Sequence, residues 1–459
     1  VQPVSLMRRD REVRAKMSLD HKGVRVASLA LVLMLVVVLT GCAARRCPIC
    51  ADARPPEASS GRGGPIPAPT YYCGDDLAGA DVAAIERTVR NDPSVDLLLL
   101  SGGGSRGSFG AGLLYGWRNS PQFDLVTGIS TGAVFATWAY LGRDDPTRPY
   151  ERMLHSYGGA LGNRDIRRRR WLFPFADSIY SLEPLRETLW QVLPTEMVAE
   201  AGRIYESTGR QLWIGTTNVE TGQFCSWNMG MRASRVRAAL DGGDRALADR
   251  LTRDYHNLIL ASCAQPGVFA PVRLTRDGRI PGQGESYYYH VDGGVTKTMY
   301  IEHLGAIARA VKEVKRSGGR AELTVYAIAN NSLVSDQSCL KPGALPLAAR
   351  SINLLVKSAL RASLDTISVT VDSELGVSRA SGGWRMRVAS IDYRLRLNPE
   401  EEFDPGGGKG RVGMKALFDH GLEWAADNDG DGRWCEGIPA PGNDGPYCDL
   451  PVVGIVSCD

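Results

Sequence analysis

This chain of 459 residues lacks any marked excess of charge of one sign. It carries 54 Lys and Arg against 51 Asp and Glu. The longest apolar run, Val26 to Leu39, is about 14 residues, short of the ~20 that a membrane span needs. Lys22 and Arg25 precede that run, and Leu39-Thr40-Gly41-Cys42 closes it. A basic region, an apolar region and small residues at a cut describe a secretory leader, with Met17 the better translation start. Residues 1–41 hold seven basic and three acidic residues, so the remainder carries 47 and 48. Nothing in so even a balance points to nucleic acid, and none is expected as a partner. Histidine is also rare, with six copies. There is no internal repeat, and the Cys47-Pro48-Ile49-Cys50 pair has no second pair at the spacing a redox or metal centre would use.

What the chain does have is glycine in two ordered motifs. Gly102-Gly103-Gly104-Ser105-Arg106-Gly107 follows the largely apolar run Val95 to Leu100. Gly128-Ile129-Ser130-Thr131-Gly132 follows Asp124-Leu125-Val126-Thr127. Each reads as a buried strand, a glycine turn and a helix. In the second, Gly128 and Gly132 permit a turn tight enough to lift the Ser130 hydroxyl clear of the backbone, which makes a nucleophile elbow. In the first, backbone N–H groups gather at a helix N-terminus, where a developing oxyanion is stabilised. Gly102, Gly103, Gly104, Arg106 and Gly107 are the candidate contributors. Downstream, Tyr287-Tyr288-Tyr289-His290-Val291-Asp292-Gly293-Gly294 sets an aspartate at a strand end, within reach of Ser130 in such a fold. A free aspartate, with pKa about 3.9, is a poor base for a serine hydroxyl. The pairing therefore requires Asp292 to be partly desolvated and hydrogen-bonded to Ser130.

These three motifs, in this order, resemble those of the patatin-like phospholipases. That family carries a G-G-G-x-[RK]-G oxyanion loop, a G-x-S-x-G serine and a D-G-[GA] aspartate. Ala261-Ser262-Cys263-Ala264-Gln265-Pro266-Gly267-Val268-Phe269-Ala270-Pro271-Val272 also resembles the family's helix and turn before the aspartate strand, and the likeness extends over roughly residues 95 to 390. It implies an α/β, three-layer fold with a mainly parallel central sheet, helices on both faces and Ser130 on a strand-to-helix elbow. It further implies lipid ester hydrolysis of phospholipase A or lysophospholipase type by a Ser130–Asp292 dyad, through an acyl-enzyme and with no required cofactor. The alternative from another class is a catalytically idle, membrane-tethered lipid-binding module with the same fold.

Other readings compete for single motifs. Gly102-x-Gly104-x-x-Gly107 with Asp124 fits a dinucleotide fingerprint, but that leaves the elbow and Asp292-Gly293-Gly294 without a role. A conventional triad in the order Ser, Asp, His would need His303 or His420. His290 shares a strand face with Asp292 and either tunes the site or is a satisfied neighbour.

Leu39-Thr40-Gly41-Cys42 resembles the bacterial lipobox, which makes Cys42 the lipidated first mature residue. Ala43 and Ala44 lack the aspartate that holds many lipoproteins at the inner membrane, so the expected location is the cell envelope, at the outer membrane, with membrane lipid as both anchor and substrate. Residues 42–73 then comprise the lipidated N-terminus and a linker rich in Pro, Gly, Ala and Ser. Residues 74–395 form the catalytic domain, with strands at Leu212 to Thr216, Leu323 to Ala329 and Met386 to Ile391. Helices fall at Leu77 to Val89, Ile301 to Lys315 and Leu347 to Leu364. Residues 396–459 read as a loop-rich tail packed on that domain, with Cys435, Cys448 and Cys458 available for a staple. Arg167-Arg168-Arg169-Arg170 before Trp171-Leu172-Phe173-Pro174-Phe175 reads equally as a membrane-interface segment or as a solvated loop beside a buried aromatic turn. Asp427-Asn428-Asp429-Gly430-Asp431-Gly432 begins like a calcium loop, but Ile438 stands where the twelfth-position Glu belongs. Asp427, Asp429 and Asp431 are thus candidates for a structural calcium site, with an acidic surface turn the simpler reading.

Overall fold

The computed structural model describes residues 79–91, 94–158, 168–169, 178–301, 304–333, 343–379, 383–391, 413–430 and 434–436. Cys42, the linker and Cys47–Cys50 lie outside them, as do His303, Cys448 and Cys458.

In chain order the first elements are α1 (Gly79–Asn91), β1 (Ser94–Leu100), α2 (Gly107–Gly116), β2 (Leu125–Ile129), α3 (Thr131–Leu141), α4 (Pro149–Tyr157), β3 (Arg168–Arg169) and β4 (Tyr180–Ser181). Then come α5 (Glu183–Val192), α6 (Thr195–Thr208), β5 (Gln211–Asn218), β6 (Phe224–Asn228), α7 (Met229–Asp241), α8 (Arg245–Ser262), β7 (Val272–Leu274) and β8 (Tyr288–Asp292). The last are α9 (Leu304–Arg316), β9 (Glu322–Ala329), α10 (Ala344–Leu375), β10 (Arg385–Ser390), α11 (Met414–Gly430) and β11 (Cys435–Glu436).

The main sheet runs β11-β10-β9-β1-β2-β5-β8-β7, with β6 also paired to β5. Strands β10, β9, β1, β2 and β5 run parallel to one another, while β11, β6 and β8 pair antiparallel. Helices cover both faces, which is why β1 reads as a continuous apolar run rather than an alternation. Leu98 and Leu100 enter one core layer, with α2, α3 and α8. Leu97 and Leu99 enter the other, with α1, α9 and α10.

The register of β5 places the site. Ile129, at the end of β2, pairs with Gly215, and the next β5 residue, Thr216, pairs with Asp292. Because β6 occupies the opposite edge of β5 over the same residues, β8 continues on the edge where β2 stops. Ser130 therefore leaves the sheet where Asp292 arrives.

The tail differs from its loop-rich reading. Met414–Gly430 is a 17-residue helix, and β11 adds an antiparallel edge to β10. Helix α11 crosses α2 at two glycines. A Cβ on Gly112 would lie 2.0 Å from the Phe418 carbonyl oxygen, and one on Gly421 would lie 2.2 Å from that of Phe109. Phe109, His420 and Trp424 then pack ring against ring. Cys225 and Cys435 are each disulfide-bonded, but not to each other, since β6 pairs with β5 and β11 stands at the far edge of the sheet, and Cys263 is free and buried.

Candidate active site

Ser130 is one of two non-glycine residues with positive φ among those described, at φ 54 and ψ −125. Such a backbone stores about 1–3 kcal/mol of strain, which the surroundings must hold. Close packing of the flanking glycines does part of this: a Cβ on Gly128 would lie 2.7 Å from Gly132 O, and one on Gly132 would lie 2.4 Å from Leu100 O. Ser262, fully buried, does another part. Its hydroxyl accepts from the Ser130 N–H at 2.9 Å and donates to Gly215 O at 2.7 Å. Ser262 was not singled out from the sequence for any role, since nothing in the segment marks one serine as a brace.

The first glycine loop lies directly against the nucleophile. A Cβ on Gly102 would stand 3.0 Å from Ser130 Cβ. Gly104 has φ 59, Gly104–Arg106 form a single 3-10 turn, and α2 starts at Gly107, so the loop meets the positive end of that helix. Gly107 has no room for a side chain, since its Cβ would meet Thr131 Oγ1 at 2.2 Å. The loop is held from beneath by Asn330, also missed in the sequence. Fully buried just past β9, Asn330 donates its Nδ2 to Ser101 O at 2.7 Å and its backbone N–H to Ser101 Oγ at 2.8 Å, while its Oδ1 accepts from Gly110 N at 3.1 Å. It is legible only once β9 is known to lie beside β1.

Asp292 is buried, its carboxylate accepts from Gly294 N–H at 2.7 Å, and it lines the same cleft as Ser130. Burial pushes its pKa up to about 6, against the nearby Ser130 hydroxyl and the Gly294 N–H, which pull it down. That is the direction a proton acceptor needs at neutral pH. The strand end itself is pinned: Asp292 N donates to Ala264 O at 3.0 Å, and Thr217 Oγ1 donates to Asp292 O at 3.0 Å.

The histidines stand elsewhere. His290 Nδ1 shares a 2.9 Å hydrogen bond with Thr216 Oγ1, and burial depresses its pKa to about 4, so the ring is neutral at pH 7. His420 belongs to the α2–α11 contact, against Phe109 and Trp424. Among the described residues, no histidine lines the space around Ser130. Asp124 is structural, accepting from Asp96 N at 2.8 Å below β1, and this removes the ribose-binding acid that a dinucleotide site would need.

Two spaces meet at Ser130. One is a cleft of about 1000 Å³, part of it open to solvent, that brings Gly102, Gly103, Gly104, Arg106, Ser130 and Asp292 together. The other is a mainly apolar pocket of about 810 Å³, also partly open, that runs from Ser130 between α3, α4 and α5 past Trp138, Tyr157, Leu185 and Leu189. Met414, at the head of α11, reaches its wall.

Residues 98–304 match the family model for patatin-like phospholipases. The segment is a patatin-like phospholipase domain. Its fold is the patatin fold, a mixed α/β arrangement with a mostly parallel central sheet, and the match supports lipid acyl hydrolysis as the general activity. Patatin-like phospholipases need no cofactor. Among solved structures, VipD from Legionella pneumophila is similar at 13% sequence identity, over 72% of this chain and 66% of that one, with a TM-score of 0.26. The chain thus spans just under two thirds of that protein's length. No curated protein sequence matches the chain.

The peripheral candidates place as follows. Among the described residues, no group of three His, Cys, Asp or Glu is set to hold a metal ion. The backbone of Asp427 and Asp429 belongs to the last turn of α11, and Asp431 lies outside the described residues. Arg168 and Arg169 pair with Ser181 and Tyr180 in a two-stranded ribbon, while Arg167, Arg170 and Trp171 to Phe175 lie outside the described residues. No described helix is long and apolar enough to cross a membrane.

Proposed function

We propose that the protein is an envelope-anchored serine lipid acyl hydrolase, of phospholipase A or lysophospholipase type, that works by a Ser130–Asp292 dyad. The observation that carries this reading is a strained Ser130 and a buried Asp292 brought together on one cleft, with the Gly102–Gly104 loop against the serine. Ser130 Oγ attacks the ester carbonyl carbon while its proton passes to Asp292. The carbonyl oxygen becomes an oxyanion beside the loop N–H groups and the α2 N-terminus, where each donor is worth ~10²–10³ in rate. Collapse breaks the ester C–O bond, and the leaving alkoxide takes the proton from Asp292. A water then attacks the acyl-enzyme, giving its proton to Asp292. Release of the fatty acid returns that proton to Ser130. The apolar pocket beside Ser130 suits an acyl chain, and the open cleft on the other side suits the polar leaving group.

The mature chain, incubated with vesicles of mixed lipids and followed by lipid mass profiling, should release fatty acid and leave lysolipid or glycerol headgroup. Ser130→Ala should abolish release with the fold unchanged, and a fluorophosphonate should label Ser130 in the wild type. Labelling at another serine, or release by the variant, would refute the mechanism.

A further inference from the structure

Helix α10 is built in two unlike halves. From Leu360 onward, Leu360, Leu364, Ile367, Val371 and Leu375 recur at helical spacing and are buried against the sheet. Ahead of them the apolar residues face outward: Leu347 is 55% exposed, Ile352 58% and Leu355 68%. An outward apolar helix end is unusual on a protein surface and marks contact with an apolar phase or partner. This end is continuous with the catalytic cleft, since Val356 and Leu360 line it. So does Val295, 55% exposed and next to the Asp292-Gly293-Gly294 turn. Charge is divided along the same helix. Between Ala344 and Leu364 it carries Arg350, Arg361 and a buried Lys357 and no acidic residue, and beyond that it carries Asp365, Asp372 and Glu374.

We propose that the first half of α10 lies in the interface of an anionic bilayer and seats the catalytic cleft on it. The inference rests on the reading of that cleft as a lipid ester site, because the apolar rim then faces the phase that holds the substrate. The helix has the form of one that lies in the headgroup layer: apolar residues enter, the half-buried Arg350 and Arg361 lie at the level of lipid phosphates, and it is not long and apolar enough to span. The acidic half is held on the protein by its buried face, which orients the helix with its basic end toward the membrane.

The test uses the full chain with Leu355→Trp and vesicles of phosphatidylglycerol and phosphatidylcholine brominated on their acyl chains. The emission that the introduced indole adds over the parent should be quenched by these vesicles. The quenching should weaken in phosphatidylcholine alone and at high salt. A second variant, Leu347→Ser/Ile352→Ser/Leu355→Ser, should lose ~10-fold or more in turnover of vesicle-embedded ester. Its hydrolysis of a short soluble ester should be unchanged, which also reports that it folds. Absence of added quenching overturns the proposal. It is likewise overturned if the introduced indole is already shielded without vesicles, which means cover by the chain itself, or becomes shielded with protein concentration, which means a second copy. Failure of the cleft reading has a different signature: neither ester is hydrolysed, yet the quenching persists.

Discussion

At the scale of single residues, the site trades stability for chemistry. Asp292 has a pKa of about 6 in the folded protein, raised by burial from 3.8. A carboxyl so raised favours the fold when protonated. The fold is unburdened below about pH 4 and loses stability as pH climbs through about 6, where the buried charge forms. A displacement of that size corresponds to roughly 3 kcal/mol. Asp292→Asn keeps an acceptor for Gly294 N–H and removes the charge. Thermal melts should therefore show the variant more stable than wild type at pH 8, with the difference gone at pH 4. On the proposed mechanism the same group sets the rate. Asp292 accepts a proton only when ionised, so activity should fall on acidification through a limb centred near pH 6, and Asp292→Asn should be as inactive as Ser130→Ala. A variant that remains active, or a limb that His420→Ala moves, would return the mechanism to a histidine base. Ser130 repeats the pattern: its positive φ is a local cost, held in place by the hydroxyl of Ser262 and the closeness of Gly128 and Gly132.

At the scale of elements, what was legible in the sequence followed from local rules. The glycine turns, the strands at β1, β2, β9 and β10 and the cores of α1, α9 and α10 are visible because apolar runs, tight turns and helical spacing leave marks within about ten residues of themselves. Even there, α10 runs past Leu364 to Leu375, because Thr and Val lower helix propensity while the buried face at Ile367 and Val371 continues the helix. Non-local partners left no such mark. Asn330 is one asparagine after a strand until β9 is laid beside β1. Helix α11 was lost among the Gly, Asp and Cys of the tail, although its contact with α2 is as close as backbone allows. That contact bears on catalysis, because α2 begins at the oxyanion loop. Gly421→Ala places a methyl 2.2 Å from Phe109 O, so the helices must part. Overpacking of this kind costs about 1–3 kcal/mol, and the melting temperature should drop accordingly. A shift of α2 should also lower kcat roughly tenfold to a hundredfold, with KM for a soluble ester little changed. A variant that melts lower but keeps its kcat would show α11 to be a brace for the fold alone.

At the scale of the whole molecule, the question is how an enzyme with a nearly balanced charge finds lipid. Neither feature that points to a membrane is sufficient by itself. The diacylglycerol group that a lipobox cysteine accepts would hold the chain at a bilayer without orienting the catalytic cleft, and the exposed half of α10 is one short amphipathic patch. On the proposed reading they act in sequence: an anchor at Cys42 would turn the search of α10 for a bilayer into an intramolecular event, with an effective concentration set by the linker. Cys42→Ser should then leave hydrolysis of a soluble ester intact, since Ser130 and Asp292 are untouched. Turnover of vesicle lipid by the acylated form, reconstituted at nanomolar protein, should exceed that of Cys42→Ser ~10²-fold or more. The gap should close as protein concentration rises, because free enzyme reaches the same surface through α10. In cells, the variant should accumulate as unprocessed precursor and take up no palmitate. Palmitate label that persists in Cys42→Ser would remove Cys42 from this scheme. A gap that stays constant at every protein concentration would mean that the lipid chain alters the catalytic domain itself rather than its encounter with the bilayer.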